Sequence, residues 1–264
     1  MKLGFIGCGN MASAMMGGMI QNQIVKAEEI IGADVLASSR EKIKETLGIH
    51  VTADNKEVIQ QAEVVILSIK PQYCQGVIEE IREYVKEGQL IITIIPGKTL
   101  AWLGETFDKE VKIVRTMPNT PAMVCEGMTA ACANEFVTEE ELEYACSILR
   151  GFSKVEVVGE NLMDVVTSVS GSSPAYVFLF IEAMADAAVA DGMPRAQAYQ
   201  FAAQAVMGSA KMVLETGKHP GELKDMVCSP AGTTIEAVRV LEEKGLRSAV
   251  FEAMKACTAK AKGL

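Results

Sequence analysis

The opening segment, residues 2–20, constrains the fold more than any other part of the chain. It begins with the apolar run Leu3–Ile6, continues as Gly-Cys-Gly-Asn-Met-Ala over residues 7–12, and then follows a helical pattern. This order predicts a strand, a tight glycine turn and a helix whose first N–H groups face outward, a geometry that holds a pyrophosphate. Asp34 lies 22 positions after Ala12, at the end of the next apolar run, where an acidic residue accepts ribose hydroxyls. The alternative is a glycine turn that only joins strand to helix.

The next 140 residues alternate between strand-like and helix-like segments. Strands are predicted at 28–33, 64–69, 90–95, 111–114 and 155–158. Several of these runs are apolar throughout, which is typical of strands buried on both faces of a parallel sheet. Ser38, Asp54 and Thr138 each precede a glutamate by three positions and are predicted to cap helices. The pattern predicts an α/β fold, a doubly wound, Rossmann-type parallel sheet, over residues 1–160.

The character of the sequence changes at residue 161, because strand-like runs disappear. Helices are predicted at 174–191, 194–215, 220–228, 233–243 and 246–260, separated by Gly- and Pro-containing breaks. Residues 161–264 are therefore expected to form an all-helical domain. The helix from Pro174 is apolar on nearly every face. A helical domain of about 100 residues cannot bury that much apolar surface, so we expect a second subunit to cover it. We expect a dimer whose active site needs both subunits.

Composition excludes several classes of function. The chain has 25 Lys and Arg against 34 Asp and Glu, a net charge of -9, which argues against nucleic-acid binding. Its seven cysteines are scattered, without a Cys-x-x-Cys pair or a nearby His, so we expect no metal site and reduced thiols in a cytoplasmic protein. No uninterrupted apolar run reaches about 18 residues, so no membrane span is predicted.

A dinucleotide fold with a helical second domain indicates redox chemistry, yet few side chains could donate the accompanying proton. The two histidines, His50 and His219, lie at a predicted strand start and a predicted helix start, so structural roles are favoured. An imine that arrives protonated would suit such a chain. The loops at 170–174 and 229–234 precede helices and could bind a carboxylate through N–H groups, although ordinary N-capping is the favoured interpretation of either loop alone.

Six motifs together resemble the pyrroline-5-carboxylate reductase family, in the same order and at matching spacing over nearly the whole chain. They occupy residues 4–11, 70–71, 117–121 (Met-Pro-Asn-Thr-Pro), 170–176 (Ser-Gly-Ser-Ser-Pro-Ala-Tyr), 219–225 (His-Pro-Gly-Glu-Leu-Lys-Asp) and 229–235 (Ser-Pro-Ala-Gly-Thr-Thr-Ile). The resemblance implies reduction of the cyclic imine Δ1-pyrroline-5-carboxylate, a small-molecule substrate, to L-proline by NADPH or NADH. It also implies homodimers through the helical domain, often assembled into decamers of five dimers.

The resemblance also assigns residues to the site. For the cofactor it implies Ile6, Gly7, Cys8, Gly9, Asn10 and Met11 at the pyrophosphate, Asn55, Ser68, Ile69, Lys70 and Pro71 at the adenosine side, and Ile94, Ile95 and Pro96 at the nicotinamide. For the substrate it implies Glu160, Gly232, Thr233 and Thr234, with Thr234 as the catalytic hydroxyl nearest the ring nitrogen. The chain departs from the family pattern at Ile94 and Ile95, which are bulkier than usual, and at Met226.

Three questions stay open at this stage. A β-hydroxyacid dehydrogenase of similar build would need a lysine near residues 170–176, where none occurs. A non-catalytic nucleotide-sensing protein would not need both a glycine cradle and a carboxylate loop. Asp34 favours NADH slightly, because a carboxylate repels the 2′-phosphate of NADPH, whereas Ser38, Ser39 and Arg40 could bind that phosphate.

Overall fold

The computed structural model describes residues 2–263, which divide into two compact units. One unit runs to Ser172 and includes a C-terminal segment from Thr258, and the other is Ser173–Cys257. The sequence places a domain boundary at 160/161, twelve residues before the change of unit, and the helical segments that begin at Glu160 lie between these two positions.

The first unit contains eight strands and seven helices within the described residues. The strands are β1 (Leu3–Ile6), β2 (Ile30–Ala33), β3 (His50–Thr52), β4 (Val64–Leu67), β5 (Leu90–Thr93), β6 (Lys112–Met117), β7 (Gly127–Ala133) and β8 (Ser153–Val157). The helices are α1 (Asn10–Gln21), α2 (Ala37–Leu47), α3 (Asn55–Gln61), α4 (Cys74–Ile81), α5 (Leu100–Phe107), α6 (Glu139–Leu149) and α7 (Met163–Val166). Short 3₁₀ turns, among them Pro71–Tyr73, connect several of them.

The eight described strands form one sheet in the order β3-β2-β1-β4-β5-β6-β7-β8. The six strands from β3 to β6 pair in parallel, which confirms the doubly wound fold and places the ends of β1, β2 and β4 side by side. β7 pairs antiparallel with β6, and β8 pairs parallel with β7. The sequence analysis missed β7, because a run of small residues such as Gly127–Ala133 lacks the bulky side chains that mark strands.

The central strands β1, β2, β4 and β5 are buried on both faces of the sheet, since neighbouring positions of a strand point to opposite sides and every position of these strands is buried. On one face Phe5, Ile66 and Ile92 belong to a core that packs against α1 and α6. On the other, residues next to them in sequence, such as Val65 and Ile91, pack with buried side chains of α3, α4 and α5. Burial on both faces explains why these strands are apolar throughout.

The predicted helix caps have different outcomes. Asp54 caps α3 by accepting a hydrogen bond from the Lys56 N–H, and Thr138 forms a full capping box with Glu141. The prediction for Ser38 was wrong, because α2 begins one residue earlier, at Ala37, and no side-chain cap is present there among the described residues. The exposed start of α2 is a tight turn at Leu36, whose N–H is already bound by Asp34.

The second unit is helical, as expected. Its helices are α8 (Ser173–Ala190), α9 (Arg195–Thr216), α10 (Pro220–Val227), α11 (Thr233–Glu243) and α12 (Leu246–Ala261), of which the residues from Thr258 onwards belong to the first unit. These bounds lie within about two residues of the predicted ones, because glycine and proline mark each break. One loop prediction was wrong: residues 167–171 continue as a π-helical turn, with the Ser172 N–H bonded to Thr167, so no open helix start lies at 170–173.

Most of α8 is exposed within this unit. Phe178 and Leu179 are 62% and 66% exposed, and Phe180 is 43% exposed. The stretch Glu160–Ala190 also has the length and composition of a membrane span, with a mean hydropathy of 1.4 and only 6% of its apolar window buried. The sequence analysis predicts no membrane span, and one helix with this length and composition is weak evidence against that prediction. A helix as apolar as this requires a covering surface.

Candidate functional site

The glycine turn after β1 has the shape that a dinucleotide pyrophosphate requires. Gly7 has a φ of 97°, and a Cβ there would lie 2.5 Å from the Ser68 carbonyl oxygen, so only glycine fits. Gly9 differs, because its backbone is extended and a Cβ there would meet no described atom within 4 Å. The space above Gly9 is therefore open to a ligand, and the exposed start of α1 provides N–H groups for phosphate oxygens.

This turn opens into a cavity of about 750 Å³ in the first unit. Eight of the residues assigned to the cofactor line it: Ile6, Gly7, Gly9, Asp34, Asn55, Ser68, Ile69 and Lys70. They come from the ends of β1, β2 and β4 and from the start of α3, which parallel pairing brings to one edge of the sheet. The volume and the mixed polar and apolar lining suit a nucleotide-sized ligand.

Asp34 is held in place by the backbone on both sides. Its Oδ2 accepts the Cys8 N–H at 2.9 Å and its Oδ1 accepts the Leu36 N–H at 2.9 Å. Each carboxylate oxygen keeps a second acceptor direction, so the group can still accept a ribose hydroxyl. Arg40 donates to the carbonyls of Asp34 and Val35, and this places its guanidinium beside the loop.

The other residues assigned to the cofactor are not among those that line the cavity. Cys8 points its thiol towards the Ala33 carbonyl, and burial, together with the Asp34 carboxylate, raises its pKa to about 12. Its sulfur is therefore a protonated packing group. Ile95 is buried in the core, and Ile94 packs against the core on the other face, while Pro96 is exposed. Asn10, Met11 and Pro71 begin helical turns next to the cavity residues.

One wall of the cavity was missed in the sequence. It consists of Gln72, Tyr73, Gly76, Val77 and Glu80, from the turn before α4 and from α4 itself. The loop after β2 adds Val35 and Leu36, and the first turn of α2 adds Ser39. Four of the missed residues follow helical spacing directly after the Lys70-Pro71 motif, which is the signal that could have identified them.

Glu160 lies in the first unit and forms two hydrogen bonds through the same oxygen. Its Oε1 accepts the Leu100 N–H at 2.7 Å and the Arg115 Nη1–H at 2.8 Å. The Arg115 side chain is only 4% exposed, and within the described chain its Nε has no partner. Truncating Glu160 would leave a buried guanidinium without its carboxylate, which destabilises a fold strongly. Glu160 therefore anchors structure whether or not its Oε2 contacts a ligand.

Gly232, Thr233 and Thr234 lie in the second unit, at the start of α11. Gly232 occupies the cap position and, among the described residues, no side chain caps the first-turn N–H groups. Ordinary N-capping by Ser or Thr, the favoured interpretation of this loop, is therefore not observed. Thr233 and Thr234 are the first two helical residues, so their N–H groups and hydroxyls surround an uncapped positive helix end that suits a carboxylate.

Each histidine lies at the start of a secondary-structure element. His50 begins β3. His219 caps α10, where its Nδ1 accepts the Gly221 N–H at 3.1 Å. Both positions agree with the structural roles that the sequence indicates.

The parallel sheet, the glycine turn and the nucleotide-sized cavity define the class as a dinucleotide-dependent oxidoreductase with a helical second domain. Residues 2–97 match the family model described as NADP oxidoreductase, coenzyme F420-dependent. Residues 160–264 match the model for pyrroline-5-carboxylate reductase dimerisation, which assigns oligomer formation to the helical part. The curated pyrroline-5-carboxylate reductase of Escherichia coli K12 is 52% identical over all of this chain and 98% of its own length. The chain belongs to the pyrroline-5-carboxylate reductase family.

Solved structures of the same family agree. A Plasmodium falciparum pyrroline carboxylate reductase with NADP bound has a TM-score of 0.91 and 31% identity, covering 99% of this chain and 97% of that chain. A pyrroline-5-carboxylate reductase from Coxiella burnetii has the same TM-score and 36% identity, with the same coverage. A 3-hydroxyisobutyrate dehydrogenase from Mycobacterium tuberculosis, at 16% identity and a TM-score of 0.53, shares the fold alone.

Replacing Asp34 with serine should shift the choice between the two cofactors. Removing one partly exposed charge changes the interaction by about 1 kcal/mol, so kcat/KM for NADPH relative to NADH should rise several-fold. Steady-state kinetics with both cofactors measures the ratio. Asp34→Asn removes the same charge but keeps one side-chain oxygen that can accept a hydrogen bond from the loop. It therefore separates the effect of the charge on the ratio from any effect of a disturbed loop. An unchanged ratio in both variants would mean that cofactor choice is made elsewhere.

Proposed function

We propose that this protein reduces Δ1-pyrroline-5-carboxylate to L-proline with NADPH or NADH, the last step of proline biosynthesis. The observation that carries the proposal is membership of the reductase family over the full chain, at 52% identity to the Escherichia coli enzyme. The open space at Gly9 fits the group that the family implies, because a pyrophosphate needs that close approach to the backbone. The bound cofactor supplies the hydride.

The residues of this chain bind and orient the reactants in this proposal. The glycine turn, Asp34 and Lys70 hold the phosphates and ribose, and Lys70 supplies positive charge at the cavity wall. The uncapped N–H groups at Gly232–Thr234 bind the substrate carboxylate. The Thr234 hydroxyl stabilises the ring nitrogen as the imine becomes an amine. The proton reaches that nitrogen from Thr234, from water or with the substrate.

The experiment is a cofactor-oxidation assay on the purified protein. With the imine present, absorbance of NADPH or NADH should fall and proline should accumulate. A 3-hydroxyacid with oxidised cofactor is the control substrate, and it should give no turnover because residues 170–176 contain no lysine to polarise a hydroxyl. Turnover of the hydroxyacid and none of the imine would refute the proposal, and absence of both would favour a nucleotide-sensing role.

Replacing Thr234 with alanine should lower kcat/KM about 5- to 150-fold, which corresponds to 1–3 kcal/mol for a lost hydrogen bond to a charged or developing centre. Thr234→Ser keeps the hydroxyl and should retain most activity. Thr233→Ala is the comparison at the neighbouring position. If Thr233→Ala loses activity while Thr234→Ala keeps the parental kcat and KM, the catalytic role belongs to Thr233.

We further propose that the oligomer is a homodimer through residues 161–264 and that dimers assemble into a decamer in the cytoplasm. The exposed apolar side chains of α8 support the dimer, since they give a second copy a surface to cover. Light scattering measures the mass directly: a particle of two chains supports the dimer alone, and one of ten chains supports the decamer.

A further inference from the structure

One face of α4 contributes an entire wall of the cofactor cavity. Tyr73 at the helix cap, then Gly76, Val77 and Glu80, follow the i, i+3, i+4, i+7 spacing of a single helical face, and all four line the cavity. The opposite face of the same helix, Cys74, Ile78 and Ile81, is buried in the core. One side of the helix is therefore packed in the core. The other side faces the cavity, with the aromatic Tyr73 at one end and the acidic Glu80 at the other.

The middle of this surface is shaped for a flat apolar group. Tyr73 is 61% exposed, so much of its ring is available for contact. A Cβ at Gly76 would meet no described atom within 4 Å, so the glycine leaves a gap in this face of the helix. Val77 adds a partly buried aliphatic surface on the next position of the face. Purine bases stack on aromatic side chains and on small apolar surfaces of this kind.

The acidic end of the surface is oriented by a neighbouring helix. The Asn55 amide at the start of α3 donates from Nδ2 to Glu80 Oε2 at 2.9 Å. Glu80 is thus held at the cavity wall, and its carboxylate has further directions in which to accept hydrogen bonds but no proton to donate. A base that presents an amino group to this carboxylate gains a hydrogen bond, whereas one that presents a carbonyl oxygen meets repulsion.

We propose that this face of α4 recognises the base of the cofactor and that Glu80 selects an aminopurine over an oxopurine. The inference rests on the proposed use of a nicotinamide dinucleotide, and it adds the chemical basis of recognition at the adenosine end. Adenine carries an exocyclic amine where hypoxanthine carries a carbonyl, and hypoxanthine also carries a proton on the neighbouring ring nitrogen. The pair therefore changes the hydrogen-bonding edge that Glu80 would read.

The test compares dissociation constants of NADH and of reduced nicotinamide hypoxanthine dinucleotide, measured by calorimetry on the purified protein. We expect the parent to prefer NADH about tenfold, which is what one hydrogen bond to a charged group provides at a partly exposed site. Glu80→Gln should bring the ratio close to one, since an amide can donate to the carbonyl of hypoxanthine. Glu79→Gln is the matched control: Glu79 precedes it on the same helix, binds Gln75, and should leave the ratio unchanged.

A second variant tests the gap. Gly76→Leu fills it and should weaken the binding of both dinucleotides about tenfold without lowering the Tm, because no described atom lies within 4 Å of the new Cβ and leucine favours the helix more than glycine does. A parental ratio near one, an equal effect of Glu79→Gln and Glu80→Gln, or full affinity in Gly76→Leu would each overturn the inference. If the protein binds NADH more tightly than the hypoxanthine dinucleotide but does not reduce the imine, the proposed reaction is refuted and base recognition by Glu80 is supported.

Discussion

Replacing Gly9 with alanine is expected to weaken NADH and NADPH binding about 100-fold or more while leaving the free protein as stable as the parent. The φ of Gly9 is -74° and its ψ is -173°, a conformation that alanine adopts without strain. The added methyl group meets no described protein atom within 4 Å, so it projects into the space that the pyrophosphate needs. Loss of close backbone approach at such a turn removes several phosphate hydrogen bonds, each worth about 1.5–3 kcal/mol.

Two other glycines provide the controls for this prediction. Gly7→Ala forces a Cβ to within 2.5 Å of a carbonyl oxygen at a φ of 97°, so it should lower the free energy of unfolding as well as the affinity. Gly17→Ala lies in α1, where the new Cβ would only touch Leu47 at 3.8 Å; it should stabilise the helix by up to about 1 kcal/mol and leave binding intact. Calorimetric affinities and Tm values distinguish the three variants: Gly9→Ala should lose affinity alone, Gly7→Ala both affinity and stability, and Gly17→Ala neither. Parental affinity in Gly9→Ala would show that the dinucleotide does not cross this turn.

The difference between Gly7 and Gly9 illustrates how much of the site could be predicted from the sequence. The motif and its position between a strand and a helix are sufficient to predict the turn, because few arrangements satisfy both. The sequence motif does not show that Gly7 is required by the fold and Gly9 by the ligand. That difference depends on atoms distant in sequence, such as the carbonyl oxygen of Ser68, which follows β4. The same limit applies to Asp34, whose hydrogen bonds to the Cys8 and Leu36 N–H groups depend on the exact course of the loop.

Helix ends were predictable where proline or glycine marks them and unreliable where a side-chain pattern alone was used. The ends of α9, α10 and α11 follow such breaks closely. Ser38 has the spacing of a capping box, yet the turn at Leu36 starts the helix earlier, because Asp34 binds the Leu36 N–H. The serines at 170–173 read as a loop, but Ser170 donates to the Val166 carbonyl within a helical turn. Such local alternatives for Ser are close in free energy, so the surrounding chain decides between them.

The wall formed by α4 was missed for a different reason. Its face has one aromatic, one glycine, one valine and one glutamate, a mixture that carries no periodic hydrophobic signal on its own. The opposite face, which does carry that signal, is the one that a sequence pattern detects. Ligand-binding surfaces on the polar side of an amphipathic helix are therefore the least visible in sequence.

Replacing Phe178 with aspartate is expected to dissociate the oligomer. Phe178 lies on α8 beside a cavity of about 610 Å³ that Ala175, Leu179 and Tyr199 also line, and it is 62% exposed in one chain. Covering a phenylalanine contributes about 1.5–3 kcal/mol, and a two-fold interface counts each substitution twice, so the dimer dissociation constant should rise by about two to four orders of magnitude.

Sedimentation or light scattering over a range of concentrations measures this change, and an assay of imine reduction on the same samples follows activity. Phe136→Asp is the matched control, since Phe136 is 37% exposed in the α/β unit, outside the region matched by the dimerisation model. It should leave the mass of the particle unchanged. Because the active site is expected to need both subunits, activity of Phe178→Asp should fall with dilution as dimers separate. A monomer with full activity, or a parental dissociation constant in Phe178→Asp, would show that the exposed face of α8 is covered in some other way.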